Sequence, residues 1–67
     1  METETLTYTE LKMLQDAADG YTAPESAEKN YKNVETVKTQ RKRILIKLKA
    51  RNMCHAVKLG MIDSLID

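Results

Sequence analysis

The chain has 67 residues with 11 basic and 10 acidic side chains, a net charge of +1, three tyrosines, one cysteine and neither tryptophan nor phenylalanine. A chain of this length forms one domain with a small core, so its fold is marginal and a partner could add stability. The scarcity of aromatic residues argues against a broad aromatic binding surface, and the lone Cys54 excludes an internal disulfide.

The charges are strongly segregated along the chain. Residues 1–28 hold seven acidic residues and one lysine, whereas residues 29–51 hold nine basic residues and one glutamate. The basic block is where a polyanion would be attracted, and the acidic block limits non-specific binding.

The N-terminal sequence METETLTYTE is acidic and polar, unlike a secretory or transit peptide, and no apolar run reaches the length of a membrane span. The single cysteine favours a reducing compartment. We therefore expect a soluble, cytoplasmic domain that does not bind membranes.

Capping residues and apolar spacing predict four helices and no strand, an all-α fold. A flexible tail is expected at residues 1–5, followed by one domain at 6–67 with helices at about 8–19, 23–31, 34–48 and 53–64. Thr7 with Glu10, and Thr22 with Glu25, have the spacing of capping boxes. Asn33 and Asn52 are suitable N-caps for the third and fourth helices.

The third helix lies within the segment NVETVKTQRKRILIKLKAR, which is both basic and amphipathic. With the short helix before it and a tight turn near Lys32 and Asn33, it fits a helix-turn-helix. Such a helix can enter the major groove of DNA, where base edges are distinguishable. A basic amphipathic helix can also lie on an anionic membrane or in a partner's groove, but this one lacks an aromatic anchor and has capped helices on both sides.

The chain resembles the LuxR-type (GerE-type) DNA-binding domain over residues 6–66, without a gap. The resemblance is carried by Leu6, Thr7, Glu10, Leu14, Ala18, Gly20, Thr22, Glu25, Ala27, Thr36, Val37, Lys38, Ile44, Lys47, Leu48, Arg51, Asn52, Ala56 and Val57. It implies a four-helix domain that binds double-stranded DNA and dimerises through its last helix. By position, it implies base contacts from Lys38, Thr39 and Lys42, and phosphate contacts from Thr36, Gln40, Arg43 and Lys47. Arg41 lies between the apolar and DNA-facing sides and is included with them.

Several residues depart from the family pattern. Ser26 and Asn30 stand at positions that are apolar in the family, which predicts weaker packing between the second and third helices. Lys32 replaces an aliphatic residue, Gln40 a frequent histidine, and Met53 a common arginine.

The C-terminal segment supports dimerisation independently of the resemblance. It contains more apolar residues than one core-facing stripe can use, and exposed apolar patches usually mark interaction sites. The expected dimer interface comprises Met53, Ala56, Val57, Gly60 and Met61, with Gly60 allowing close approach of a partner backbone.

No group of residues suggests catalysis, a cofactor or a metal. His55 and Cys54 lack further ligands at a suitable spacing, and Glu10 and Glu25 are better explained as caps than as a catalytic pair. The leading hypothesis is therefore a homodimeric, sequence-specific transcriptional regulator. The alternative is a protein-interaction module that pairs with a LuxR-type regulator, a sigma factor or RNA polymerase without binding DNA; Ser26, Asn30, Lys32 and an exposed Ile46 favour it.

Overall fold

The computed structural model describes residues 6–67, so the expected tail at 1–5 lies outside the described residues. Over this range the chain folds into four helices and no strand, which confirms the all-α prediction. The helices are α1 (Tyr8–Ala18), α2 (Ala23–Lys29), α3 (Val34–Leu48) and α4 (Met53–Ile62).

Side-chain caps define the start of each helix. In α1 the Thr7 hydroxyl accepts a hydrogen bond from the Glu10 amide at 3.2 Å, and the Glu10 carboxylate accepts one from the Thr7 amide at 3.0 Å. Thr22 and Glu25 form the same capping box on α2, while asparagine side chains cap α3 and α4. These contacts satisfy amides that have no partner inside the helix.

Two helices end two residues earlier than the sequence suggests. The second, expected to reach residue 31, ends at Lys29 because Asn30 caps it and Tyr31 has φ +56°. The fourth, expected to reach residue 64, ends at Ile62, and Ser64 has φ +59°. A residue in the left-handed region cannot continue a right-handed helix.

The core lies where α3 meets the other three helices. Val37 and Ile44 are fully buried and Leu48 is nearly so, giving α3 one apolar side. The other buried apolar residues come from every other helix and from both ends of the described chain: Leu6, Met13, Leu14, Ala27, Ala56 and Ile66.

A polar cluster joins α1 to α2 inside this structure. The buried Asp16 carboxylate accepts hydrogen bonds from the Ser26 hydroxyl at 3.0 Å and the Asn30 amide at 2.9 Å, and it pairs with the Lys29 ammonium at 3.1 Å. Ser26 and Asn30 therefore satisfy a buried carboxylate on α1. They form a hydrogen-bonded network, and α2 packs directly on α3.

Candidate nucleic-acid interface

Helices α2 and α3, joined by residues 30–33, form a packed helix-turn-helix. The Asn33 side chain accepts a hydrogen bond from the Glu35 amide at 2.7 Å and fixes where α3 begins. The burial of Val37, Ile44 and Leu48 sets the rotation of α3 about its own axis, and thereby decides which side chains face outward.

The outer face of α3 lies opposite its buried side. At about 100° per residue, the residues most remote from Val37, Ile44 and Leu48 include Thr39 and Lys42, with further polar residues beside them. We call the exposed polar residues of α3 other than the first-turn Glu35 the outer face; its members are Thr36, Lys38, Thr39, Lys42 and Arg43, all exposed.

The cations of the outer face are largely free. Among residues 6–67, Lys42 and Arg43 take part in no ion pair or side-chain hydrogen bond, whereas Lys38 lies 3.8 Å from the exposed Glu35 carboxylate. An exposed pair at that distance contributes little and can open easily. The Thr39 hydroxyl donates to the Glu35 carbonyl at 3.0 Å, which leaves its oxygen able to accept.

Lys47 is engaged inside the protein. Its ammonium lies 2.7 Å from the buried Glu10 carboxylate of α1, and its side chain is 19% exposed. Burial raises the pKa of Glu10, but hydrogen bonds from Lys47 and Thr7 outweigh it and hold the pKa below its ordinary value. The expectation that Lys47 lies on the phosphate-facing surface is thus corrected, because α1 covers it and supplies a carboxylate.

Arg41 and Gln40 also turn away from the outer face. The Arg41 guanidinium donates to the Tyr21 carbonyl at 2.9 Å and lines a shallow cleft of about 320 Å³ between the end of α1 and the start of α4. Its Nε and the Gln40 Oε1 are buried and have no hydrogen-bond partner within the described chain. The structure therefore separates these two residues from the outer face.

The residues expected at a dimer interface divide into two groups. Met53 and Val57 are half-buried and Met61 is 47% exposed, whereas Ala56 and Gly60 are buried in the chain's own core. A Cβ at Gly60 would lie only 2.9 Å from the Leu14 side chain, so Gly60 permits close packing of α4 on α1. The expectation that Ala56 and Gly60 face a partner is therefore corrected.

The exposed apolar surface of the C-terminal segment lies further along the chain than expected. Ile62 is 65% exposed and Leu65 is 39% exposed, next to Met61. Their apolar character was visible in the sequence. Their exposure follows from the end of α4 at Ile62, after which the chain turns so that Ile66 becomes buried.

The sequence analysis did not predict the interior contacts of two carboxylates, Glu10 and Asp16. Glu10 was interpreted only as a cap, and Asp16 only as part of the acidic block. The available signal for Asp16 was indirect: Ser26 in α2 and Asn30 at its C-cap stand where the LuxR-type resemblance predicts apolar residues, and a buried polar side chain such as Ser26 needs a partner.

Within residues 6–67 the structure has neither a helix that could span a membrane nor a cluster of residues that could bind a metal ion. None of the helices there is both long enough and apolar enough to cross a bilayer. The same residues contain no group of three or more histidine, cysteine or acidic side chains placed to hold a metal ion.

Comparison with known proteins shows which protein family the chain belongs to. No curated protein and no solved structure matches the chain significantly. The family model for bacterial regulatory proteins of the luxR family (GerE) matches residues 4–59, most of the chain. That family comprises DNA-binding helix-turn-helix regulators and is not a family of enzymes. The chain belongs to the LuxR family of bacterial regulatory proteins, as a four-helix DNA-binding domain.

Proposed function

We propose that the chain is a sequence-specific transcriptional regulator that binds double-stranded DNA as a homodimer and reads the major groove with α3. The observation that carries the proposal is the outer face: it presents Lys42 and Arg43, which have no partner among residues 6–67, on a helix whose opposite side is anchored in the core. A helix presented in this way can enter a groove about 12 Å wide.

The exposed side chains of α3 fall into two groups, one proposed to contact base edges and one proposed to contact phosphates. Lys38, Thr39 and Lys42 are proposed to contact base edges, where lysine donates to guanine acceptors and threonine can donate, accept or meet a thymine methyl. Thr36 and Arg43, further round the helix, are proposed to contact phosphates. Lys47 and Arg41 support this arrangement from within, through their bonds to α1 and to the loop after it.

Dimerisation is proposed to use the exposed apolar residues of the C-terminal segment. Met61, Ile62 and Leu65 form this set, with the half-buried Met53 and Val57 as further candidates. Burying such side chains against a second copy would remove apolar surface from water, which is the main source of favourable association energy.

The experiment selects bound sequences from a random duplex pool and measures affinity for the selected DNA. Lys42→Ala is expected to weaken binding by about 1–3 kcal/mol and to relax the sequence preference at one base pair per half-site. Lys12→Ala removes an exposed lysine from α1 and serves as the matched control, expected to bind like the wild type. Failure to recover any sequence at low salt would contradict the proposal.

Dimerisation has its own test. Two selected half-sites about 10 bp apart, centre to centre, are expected for a symmetric dimer. Ile62→Ser is expected to shift sedimentation equilibrium towards monomer, whereas Tyr8→Ser, a change at an exposed large residue on α1, is not. Equal dimerisation by both variants would contradict the assigned surface.

A protein-interaction module is the second candidate, favoured by the same exposed apolar residues. In that case the segment from Met61 to Leu65 would contact another regulator, a sigma factor or RNA polymerase. It predicts tight capture of such a protein that Ile62→Ser abolishes, with no DNA binding at low salt.

A further inference from the structure

Ile46 is the one aliphatic residue of α3 that faces water. It is 67% exposed, whereas Val37 and Ile44 are fully buried and Leu48 nearly so. Single exposed apolar residues are common on protein surfaces, so exposure alone assigns no role. The position of Ile46 relative to its neighbours is more informative.

Ile46 lies directly opposite the buried side of α3, on the same side as the outer face. Thr39, Lys42, Arg43 and Ile46 have the spacing i, i+3, i+4 and i+7. In homeodomains, four positions with this spacing on one helix are the ones that read the major groove. Ile46 stands one helical turn, about 6 Å, beyond Lys42. That distance is about two base-pair steps.

The chemistry of the groove narrows what Ile46 can contact. An isoleucine side chain neither donates nor accepts hydrogen bonds, and the apolar group that base edges present in the major groove is the 5-methyl of thymine. The neighbouring Arg43 and Lys49 side chains are exposed cations that suit the phosphates around such a base.

Building on the proposed function, we propose that Ile46 is a specificity-determining residue that packs against the 5-methyl group of a thymine about two base pairs from the base contacted by Lys42. The cationic surroundings of Ile46 fit a nucleic acid better than an apolar protein partner. Each half-site bound by the protein then contains one thymine whose methyl group contributes to affinity.

The test uses duplexes obtained by selection with the wild-type protein. Each thymine is replaced in turn by deoxyuridine, which lacks only the methyl group. Replacement at one position per half-site is expected to weaken wild-type binding about four-fold, the effect of one buried methyl-sized group. Ile46→Ala is expected to bind the thymine and deoxyuridine duplexes equally.

Two controls isolate the contact. Ile62→Ala makes the same change at a similarly exposed isoleucine on α4, and is expected to preserve the thymine-to-deoxyuridine ratio whatever it does to overall affinity. Circular dichroism is expected to show unchanged helicity for Ile46→Ala, since the residue contributes little to the core.

The outcomes separate this inference from the proposed function. If DNA is bound but no thymine shows a penalty, or if the penalty persists in Ile46→Ala, the role of Ile46 is overturned and the proposed function stands. An Ile46→Ala variant that binds every duplex like the wild type points to a protein contact and also overturns it. If selection recovers no DNA at all, the proposed function fails and the inference fails with it.

Discussion

Helix α3 carries two groups of cations, which differ in whether the rest of the protein supplies a bonding partner for them. On the side facing α1, Lys47 meets the buried Glu10 carboxylate at 2.7 Å, and Arg41 donates to the Tyr21 carbonyl. On the outer face, Lys42 and Arg43 have no such partner among the described residues. The charge counted along a sequence is therefore different from the charge available to a ligand.

The two groups also have opposite effects on stability. The Lys47–Glu10 pair links α3 to the capped start of α1, so its charge contributes to the fold. On the outer face, Lys38 and Lys42 are like charges four residues apart, which destabilises a helix by a few tenths of a kcal/mol. A polyanion bound there would relieve that repulsion.

The largest expected effect comes from breaking the Lys47–Glu10 pair. Lys47→Met keeps most of the aliphatic stem but leaves a buried carboxylate unpaired, which should cost about 3 kcal/mol in urea unfolding. Lys42→Met makes the same change on the outer face and should change stability by less than about 0.5 kcal/mol.

Because a loss of this size could unfold so small a domain, Lys47→Arg and the double variant Glu10→Gln, Lys47→Met complete the set. The arginine should preserve most of the stability, and the double variant should be more stable than Lys47→Met. If Lys47→Met and Lys42→Met are equally stable, the partnered cations of α3 contribute no more to the fold than the cations of the outer face.

Lowering the pH should weaken the interior contacts. Burial raises the pKa of Asp16, but hydrogen bonds from Asn30, Lys29 and Ser26 hold it below its ordinary value, and the pKa of Glu10 is also lowered. A carboxylate with a lowered folded-state pKa adds stability above its unfolded pKa of about 4, and loses it as pH falls through the folded pKa.

The urea midpoint should therefore fall as the pH drops below about 4. Asp16→Asn should reduce this dependence. A midpoint that rises on acidification would contradict the assignment of these carboxylates.

Replacing a phosphate-contacting residue should reduce affinity by a smaller amount. Arg43→Ala is expected to lower affinity about equally for all duplexes. It should also reduce the slope of log affinity against log salt by about 0.9 for each monomer, the contribution of one phosphate. Fluorescence anisotropy across a salt series measures this slope, with Lys12→Ala as the control. An unchanged slope in Arg43→Ala would place Arg43 away from the backbone.

The smallest expected effect is a gain in stability at the turn of the helix-turn-helix. Tyr31 has φ +56° and a 97% exposed side chain, so it bears left-handed strain with little packing in return. Tyr31→Gly should raise the free energy of unfolding by about 0.5–1 kcal/mol. Tyr31→Ala keeps the Cβ and should not raise the free energy of unfolding. If Tyr31→Ala stabilises the protein as much as Tyr31→Gly, the destabilising group is the tyrosine ring and not the left-handed backbone.

The sequence predicted the features that depend on neighbouring residues. Capping boxes span four residues, so Thr7 with Glu10 and Thr22 with Glu25 could be recognised directly. The amphipathic pattern of α3 likewise indicated a buried side and an outer face. The LuxR-type resemblance is confirmed by the family match.

Contacts between distant residues could not be predicted in this way. Glu10 and Lys47 are 37 residues apart, and Asp16 meets partners 10 to 14 residues away. Their pairing depends on how α1 packs against α2 and α3. The burial of Gly60 depends similarly on the approach of Leu14 from α1.

The most direct test of the central claim, that the outer face of α3 is the DNA-binding surface, is a ¹⁵N–¹H NMR titration with a selected duplex. We expect the largest amide shifts at Thr36, Thr39, Lys42, Arg43 and Ile46, and we expect these shifts to diminish with added salt. A duplex that binds while the α3 amides stay unshifted would contradict it.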